Sequence, residues 1–257
     1  MDIFLHMLIN NLKSRLSKSA LAYRKSRKYG ARVVEAFWLS LRALVPHQSY
    51  SFEVGGKAFV ETWRDYRRLR NLEPETVGWI TEYVKPGDVF YDIGANVGQF
   101  SFLAEQQGAQ VIAFEPFFEN GRTLSRNVLL NKSKVIPVIA ALSNTTSFKP
   151  FSISSLESGS ARHILGRNTN SLSVMSLTLD DFIKFFHVPP PTHLKIDVDD
   201  SEHLVLQGAQ ETLRGVSSIM LEINDRNSIA PYLTDFSCVW SKDKFPANSV
   251  WVRKKKG

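Results

Sequence analysis

The sequence predicts an α/β fold: a seven-stranded, mostly parallel sheet with helices on both faces, preceded by a basic helical and hairpin extension. Three observations carry that prediction. Apolar β-type runs at 88–93, 110–115 and 134–142 alternate with helical patterns at 97–107 and 118–131, and short links of this kind require parallel strands joined by covering helices. The first run breaks directly into Gly94-Ala95-Asn96-Val97-Gly98 and then a helix, the strand–turn–helix that brings a small ligand onto a helix N-terminus. The second run ends in Glu115-Pro116, seventeen residues beyond Gly98, where an acid can accept hydrogen bonds from a ribose diol.

Taken in order, Ile3, Phe4, Leu5, Leu8, Ile9, Leu12 and Leu16 recur at helical spacing with Lys13, Arg15 and Lys18 between them. No run approaches the roughly 20 apolar residues of a membrane span. The positive charges follow the apolar stretch, where a secretory signal would place them before it. A helix packed on the main domain is favoured; the functional alternative is peripheral contact of residues 1–35 with an anionic membrane. Tyr29–Val45 reads as a second helix ended by Pro46, and Tyr50–Val54 with Lys57–Thr62 as a hairpin around Gly55-Gly56. Residues 1–73 thus form a cap, and residues 74–257 the main domain.

Pro74 opens a helix carrying Val77, Trp79, Ile80 and Val84, and Lys85-Pro86-Gly87 stops it. Residues 143–176 interrupt the rhythm; with eight serines between 152 and 176 they read as an insertion serving as a substrate loop, in which Arg162, His163 and Arg167 could hold an acceptor. Thr178-Leu179-Asp180-Asp181 is a capping sequence for a short helix ended by Pro189-Pro190-Pro191. Strand His193–Val198, helix Glu202–Leu213, strand Ser218–Ile223 and a hairpin of Phe236–Trp240 with Ser249–Arg253 complete the seven strands.

At 43% hydrophobic and 22% charged, the chain has the composition of a soluble globular protein. Its single cysteine, Cys238, cannot form an intramolecular disulfide, which suits a reducing cytosol, and its apolar context predicts a core thiol. Of the net +7, six charges belong to residues 1–35 and four to Arg253–Lys256, so residues 36–252 carry −3. A nucleic-acid groove would put its charge on the folded body, so no nucleic-acid partner is expected. The expected location is cytoplasmic, peripheral to the inner membrane face if the N-terminal helix docks there; no oligomeric seam is readable.

Two ligand classes use such a crevice. The dinucleotide fingerprint is G-x-G-x-x-G; this chain has G-x-x-x-G, with Asp92 where a pyrophosphate would meet like charge. S-adenosylmethionine carries an ammonium and a sulfonium there, so the carboxylate favours it. A second constellation, Lys195-Ile196-Asp197-Val198-Asp199-Asp200-Ser201-Glu202, packs four carboxylates into six residues at a strand end, and the next strand ends in Glu222. Period 2 puts Lys195 and Asp197 on one face. These acids could bind substrate hydroxyls, act as general base, or ligate a divalent metal. No metal is assigned. Capping of the following helix falls to Asp200 and Ser201, with Asp197 reserved for chemistry and His203 read as a helix-surface residue.

Phe90–Gly98, Ala113-Phe114-Glu115-Pro116, Leu124–Asn131, Ala140–Ser143, Lys195–Asp199, Leu206–Ala209 and Leu221–Asn224 resemble, in order, the motifs of the FkbM-like methyltransferases, over about residues 74–224. The resemblance implies a Rossmann-like class I methyltransferase fold and S-adenosylmethionine-dependent O-methylation, often of sugar or polyketide-type hydroxyls. This chain departs from the family at Asp200, which stands where a glycine is usual. The expected assignments are Asp92 and Asn96 at the methionine end; Gly94, Ala95 and Gly98 for backbone approach; Glu115 with Pro116 at the ribose; and Ala141 and Leu142, within Ala140–Ser143, near the adenine. Asp197 is the expected base or hydroxyl binder, supported by Asp199 and Glu222. The expected function is methylation of a hydroxyl on a glycan or glycolipid precursor. The rival is a non-catalytic scaffold that kept the fold and uses its basic ends on membranes or anionic polymers.

Overall fold

The computed structural model describes residues 50–54, 57–61, 73–153, 164–166, 171–223, 225–241 and 247–254. The two N-terminal helices expected within 3–45, and Arg162, His163 and Arg167, lie outside the described residues. By compactness the chain divides at Gln48/Ser49, so the hairpin of β1 (Tyr50–Val54) and β2 (Lys57–Glu61) belongs to the same unit as the α/β fold. Among the described residues no helix is long and apolar enough to cross a membrane.

The main body runs α1 (Pro74–Tyr83), β3 (Val89–Ile93), α2 (Gln99–Gln106), β4 (Gln110–Phe114), α3 (Phe118–Leu130) and β5 (Ile136–Val138). After an intervening sheet it continues with α4 (Leu179–Phe186), β10 (His193–Ile196), α5 (Glu202–Gln207), β11 (Ser218–Ile223), α6 (Arg226–Ile229), β12 (Phe236–Ser241) and β13 (Ala247–Arg253). The seven-stranded sheet has the order β12-β13-β11-β10-β3-β4-β5, parallel from β11 to β5, with β13 antiparallel to both of its neighbours. Chain order reverses between β3 and β10. Such a switch point opens a crevice beyond the strand C-termini, which is where open α/β sheets bind ligands.

Alternation along the strands divides the core in two. Tyr91, Ile93, Phe114, Leu194, Ile196 and Leu221 face one side, where Tyr91, Phe114 and Phe182 of α4 pack with ring centroids 4.8–6.4 Å apart. Phe90, Val111, Ala113 and Met220 face the other, against Trp79 and Ile80 of α1 and Phe100 and Phe102 of α2. Period 2 puts Asp92, Lys195 and Glu222 on this second side. The capping expectations hold at the N-termini of α1 and α4: Pro74 occupies the first turn of α1, and the Thr178 hydroxyl accepts from the Asp181 amide at 3.0 Å.

Four expectations are corrected. The expected strand 134–142 is two strands, β5 and β6 (Ala141–Leu142), because the chain leaves the main sheet at Ile139-Ala140. The expected serine-rich loop contains β7 (Ser147–Ser152), β8 (Ile164–Leu165) and β9 (Ser171–Leu177), which with β6 make a four-stranded sheet in the order β6-β9-β7-β8. Ladder hydrogen bonds need no apolar side chains, so serine-rich strands pair where one face is wet. Cys238 is exposed: β12 is the sheet's outer strand, and its central residues face water. Finally, Ser201 is the N-cap of α5 but makes no side-chain capping bond, and Asp200 has φ 69°, a left-handed conformation unlike that of a cap.

Candidate functional site

The turn after β3 is held by its own neighbours. Gly94 and Ala95 amides both donate to the Phe114 carbonyl at 3.0 and 2.9 Å, Asn96 donates to Glu115 Oε2 at 2.8 Å, and Gly98 donates to the Ala95 carbonyl at 2.8 Å. Gly94 sits at φ 82°, and a Cβ there would lie 1.8 Å from the Asp197 carbonyl oxygen. Gly98, at φ 95°, would drive a Cβ to 2.4 Å from Leu124. Gly94 is required by close packing, because the backbone at the end of β10 passes against it, and Gly98 by its left-handed φ, since the atoms its Cβ would meet are side-chain ends. Asn96 completes the bend at φ 52°. A phosphate cradle leaves its turn amides free to point at the anion. Here four of them are already used.

Glu115 is 6% exposed, and its second oxygen accepts the Phe117 amide at 2.8 Å. Burial pushes its carboxyl up to about 7 against those two backbone hydrogen bonds. Pro116 follows at the edge of an apolar groove of about 240 Å³ lined also by Phe117, Phe118, Ile139, Phe151 and Leu172. Ala141 and Leu142 are packed in the core, at 5% and 3% exposure, so only their backbone is available to a ligand.

The acids at the strand ends converge on one residue that the motif reading left without a role. Lys195 is buried; its Nζ donates to Asp197 Oδ2 at 2.9 Å and lies 3.7 Å from Asp92 Oδ1. The β3–β10 register pairs Lys195 directly with Asp92, and the ammonium stands 5.2 Å from the Phe100 ring centroid. Burial alone would lower the lysine, but the charges of Asp197 and Asp92 hold it above its usual value. Asp92 is 1% exposed: Ser101 Oγ donates to its Oδ2 at 2.6 Å, while its Oδ1 has no hydrogen bond. Burial raises the Asp92 carboxyl, with Lys195 and Ser101 offsetting only part of the rise.

Asp197 and Glu222 are hydrogen-bonded to each other across the ends of β10 and β11. Burial works against the charged form of Asp197, but the Lys195 ammonium and the Glu222 hydrogen bond outweigh it and hold the carboxyl below its ordinary range. Glu222 is pushed up to about 8, by burial first and then by the hydrogen bond to Asp197 and that residue's charge. Glu73 and Asp199 add smaller repulsions, and Glu73 is a second residue the sequence reading missed. It precedes α1 and is tied to β13 by Asn248 Nδ2, which donates to Glu73 Oε2 at 2.9 Å. Asp199 and Asp200 are consecutive left-handed residues, at φ 46° and 69°. Aspartate tolerates that conformation better than most residues with a side chain.

Beyond β10 and β11 lies a cavity of about 230 Å³ lined by Asp200, Glu202, His203, Ile223, Asp225, Ser228 and Ile229. His203, expected on the helix surface, belongs to this wall. Burial pushes Glu202 up to about 7. Among the described residues, no group of three or more His, Cys, Asp or Glu side chains is placed to hold a metal ion.

Residues 92–240 match the family model of the methyltransferase FkbM domain. The hexuronic acid methyltransferase AglP of Haloferax volcanii is 26% identical over 192 residues, which cover 73% of this chain and 79% of AglP. Among solved structures, the methyltransferase FkbM of Methylobacillus flagellatus superposes with a TM-score of 0.47 at 15% identity, covering 65% of this chain and 43% of that one. The tRNA m1G37 methyltransferase of M. jannaschii superposes with a TM-score of 0.45 at 15% identity, covering 82% of this chain and 59% of its own.

Proposed function

The chain belongs to the FkbM methyltransferases, and from that premise we propose that it moves a methyl group from S-adenosylmethionine to a sugar hydroxyl of a glycan or glycolipid precursor. The observation that carries the donor side is the turn itself. Its amides are used internally, and the carboxylates of Asp92 and Glu115 lie buried beside it, an arrangement hostile to a pyrophosphate and suited to a ligand with positive charge. Asp92 Oδ1, buried without a hydrogen bond, fits the same sign. The relative AglP, a hexuronic acid methyltransferase, supports a sugar as acceptor.

S-adenosylmethionine supplies an electrophilic methyl group on a sulfonium. Everything else falls to the chain. Glu115 takes the ribose hydroxyls, with Pro116 beside it. Asp92 and Asn96 hold the methionine end, Asp92 by its charge from beneath the turn, and Gly94, Ala95 and Gly98 let the backbone approach. Asp197, Asp199 and Glu222 receive the acceptor hydroxyl at the ends of β10 and β11. Displacement at a methyl carbon needs an in-line approach, so positioning by these rigid strand ends supplies a large share of the effect, up to about 7–11 kcal/mol.

The test is calorimetric titration of the full chain with S-adenosylhomocysteine and, separately, NAD, followed by transfer of labelled methyl to a panel of neutral, amino and acidic sugar glycosides. Micromolar affinity for the homocysteine product, none for NAD, and label on at least one sugar are expected. A folded sample that binds NAD in preference, or binds neither, overturns the donor assignment; labelling of no sugar overturns the acceptor.

A further inference from the structure

We propose that Glu222, rather than Asp197, takes the proton from the acceptor hydroxyl, because Lys195 commits Asp197 to an ion pair and leaves Glu222 as the carboxyl of the pair without a cation among the described residues. The inference rests on the sugar-hydroxyl reading above and assigns roles within that site.

The geometry divides the two acids. Lys195 Nζ bonds Asp197 Oδ2 at 2.9 Å, and the lysine is too deeply buried to exchange that partner for water. A carboxylate clamped by a buried ammonium is a poor proton acceptor, since accepting a proton would give up the closer of the ammonium's two ion pairs and leave it only Asp92, at 3.7 Å. Two carboxyls in hydrogen-bond contact cannot both ionise freely, so one proton is shared between them. With the cation on the Asp197 side, that proton rests on Glu222. Among the described residues the groups that face Glu222 are consistent in sign: Asp197 and Asp199 from the end of β10 and Glu73 from the segment before α1 are acids, and its β13 neighbour in register, Asn248, is neutral. Lys195 reaches it only through Asp197. Glu222 therefore gives up its proton near pH 8, which is the proton affinity a base working close to neutrality needs.

In the step that follows, the acceptor oxygen forms its bond to the methyl carbon while the carbon–sulfur bond breaks and its electron pair stays on sulfur. The hydroxyl proton passes to the ionised Glu222 carboxylate. Asp197, already ionised, accepts a hydrogen bond from a neighbouring hydroxyl of the sugar and so orients the reacting one.

Two measurements test this. For the wild type, kcat/KM on the labelled acceptor rises about tenfold per pH unit and levels near pH 8. Glu222→Gln lowers kcat about 10²–10⁴-fold and abolishes that limb. Asp197→Asn keeps the limb but moves it to lower pH, because the neighbouring charge is gone. Infrared difference titration of the ligand-free protein should show a protonated carboxyl that persists to about pH 8, is missing in Glu222→Gln, and in Asp197→Asn is kept but lost at lower pH. A limb kept by Glu222→Gln and lost in Asp197→Asn overturns the assignment, as does a carboxyl band that vanishes only in Asp197→Asn. If no sugar is methylated, the preceding reading fails by itself, and the infrared titration, which needs neither donor nor acceptor, still decides which residue holds the proton.

Discussion

Gly94→Ala is the sharpest perturbation the fold offers, because one methyl group strikes the joint between the two strands of the switch point. The added Cβ would lie 1.8 Å from the Asp197 carbonyl oxygen, against the 3.0 Å that real contacts respect, so the two strand ends must part by about 1.2 Å. The Asp197 amide donates to the Ile93 carbonyl at 3.0 Å in the same place. Losing that bond costs about 0.5–1.5 kcal/mol. Holding alanine at φ 82° costs about 1–2 kcal/mol more. The sum of about 1.5–3.5 kcal/mol should lower Tm by about 3–14 °C for a domain of this size. Because the displaced atoms are the donor turn and the Asp197 backbone, affinity for S-adenosylhomocysteine should fall at least about tenfold, or 1.4 kcal/mol. Gly78→Ala is the internal control. Gly78 is exposed in α1 with nothing within 4 Å of a new Cβ, so the substitution should stabilise by about 0.5–1 kcal/mol and leave ligand affinity unchanged. Thermal melts and calorimetry on the two variants decide the matter. If Gly94→Ala melts and binds like Gly78→Ala, the close approach of β10 to the turn has no consequence.

At the opposite end of the same sheet face, Trp79 Nε1 donates to Ser218 Oγ at 3.0 Å, so Ser218 gives its own proton to His193 Nδ1 at 2.7 Å, and His193 Nε2–H is left for Asp88 at 3.0 Å. Ser218→Ala should cost about 2–4 kcal/mol, since it strands two buried polar groups, while homocysteine affinity in the same calorimeter stays unchanged. Glu202 is 5% exposed with its carboxyl pushed up to about 7. A raised acid contributes stability that is fully present below its unfolded value near 4.5 and is lost as pH rises through about 7. Glu202→Gln lacks that dependence, so urea unfolding should show it gaining on the wild type between pH 5 and pH 8, by up to about 3 kcal/mol. An equal gap at both pH values would contradict the buried placement of this carboxyl.

Much of the sheet was legible because its parallel strands are apolar runs punctuated by glycine, proline and acid, and those signals are local. The order across the sheet, with its reversal between β3 and β10, was read only from the structure. The sheet of β6 to β9 was not legible: Ser147–Ser152 and Ser171–Leu177 carry serine and bury residues only towards their C-terminal ends, without alternation, so neither periodicity nor hydrophobicity marks them. Cys238 was misread for a related reason, since an apolar run looks the same on an outer strand as on a central one. At the site, residue types identified the acids, but the cation that organises them was passed over. Lys195 stands in a four-residue strand between Leu194 and Ile196, on the face shared with Asp92. A charge enclosed by apolar neighbours is a signal in itself, and pairing its strand with β3 would have placed it beside Asp92. Glu73 gave no such signal, because its reach to β13 depends on a contact between residues 175 positions apart.

Lys195 also explains why so many acids can share one sheet end. Each buried carboxylate costs several kcal/mol unless it is compensated, and like charges on adjacent strands add to that cost. One ammonium between Asp92 and Asp197 offsets both, but unequally: it is bonded to Asp197 and stands 3.7 Å from an Asp92 oxygen that has no hydrogen bond. Asp92 is therefore the less well compensated of the two, while beside Asp197 it is Glu222 whose carboxyl is pushed towards its protonated form. That asymmetry is what a transfer from a cationic donor to a neutral hydroxyl requires. On the reading proposed above, the cationic donor meets the Asp92 side, and the base stands only where the acceptor arrives.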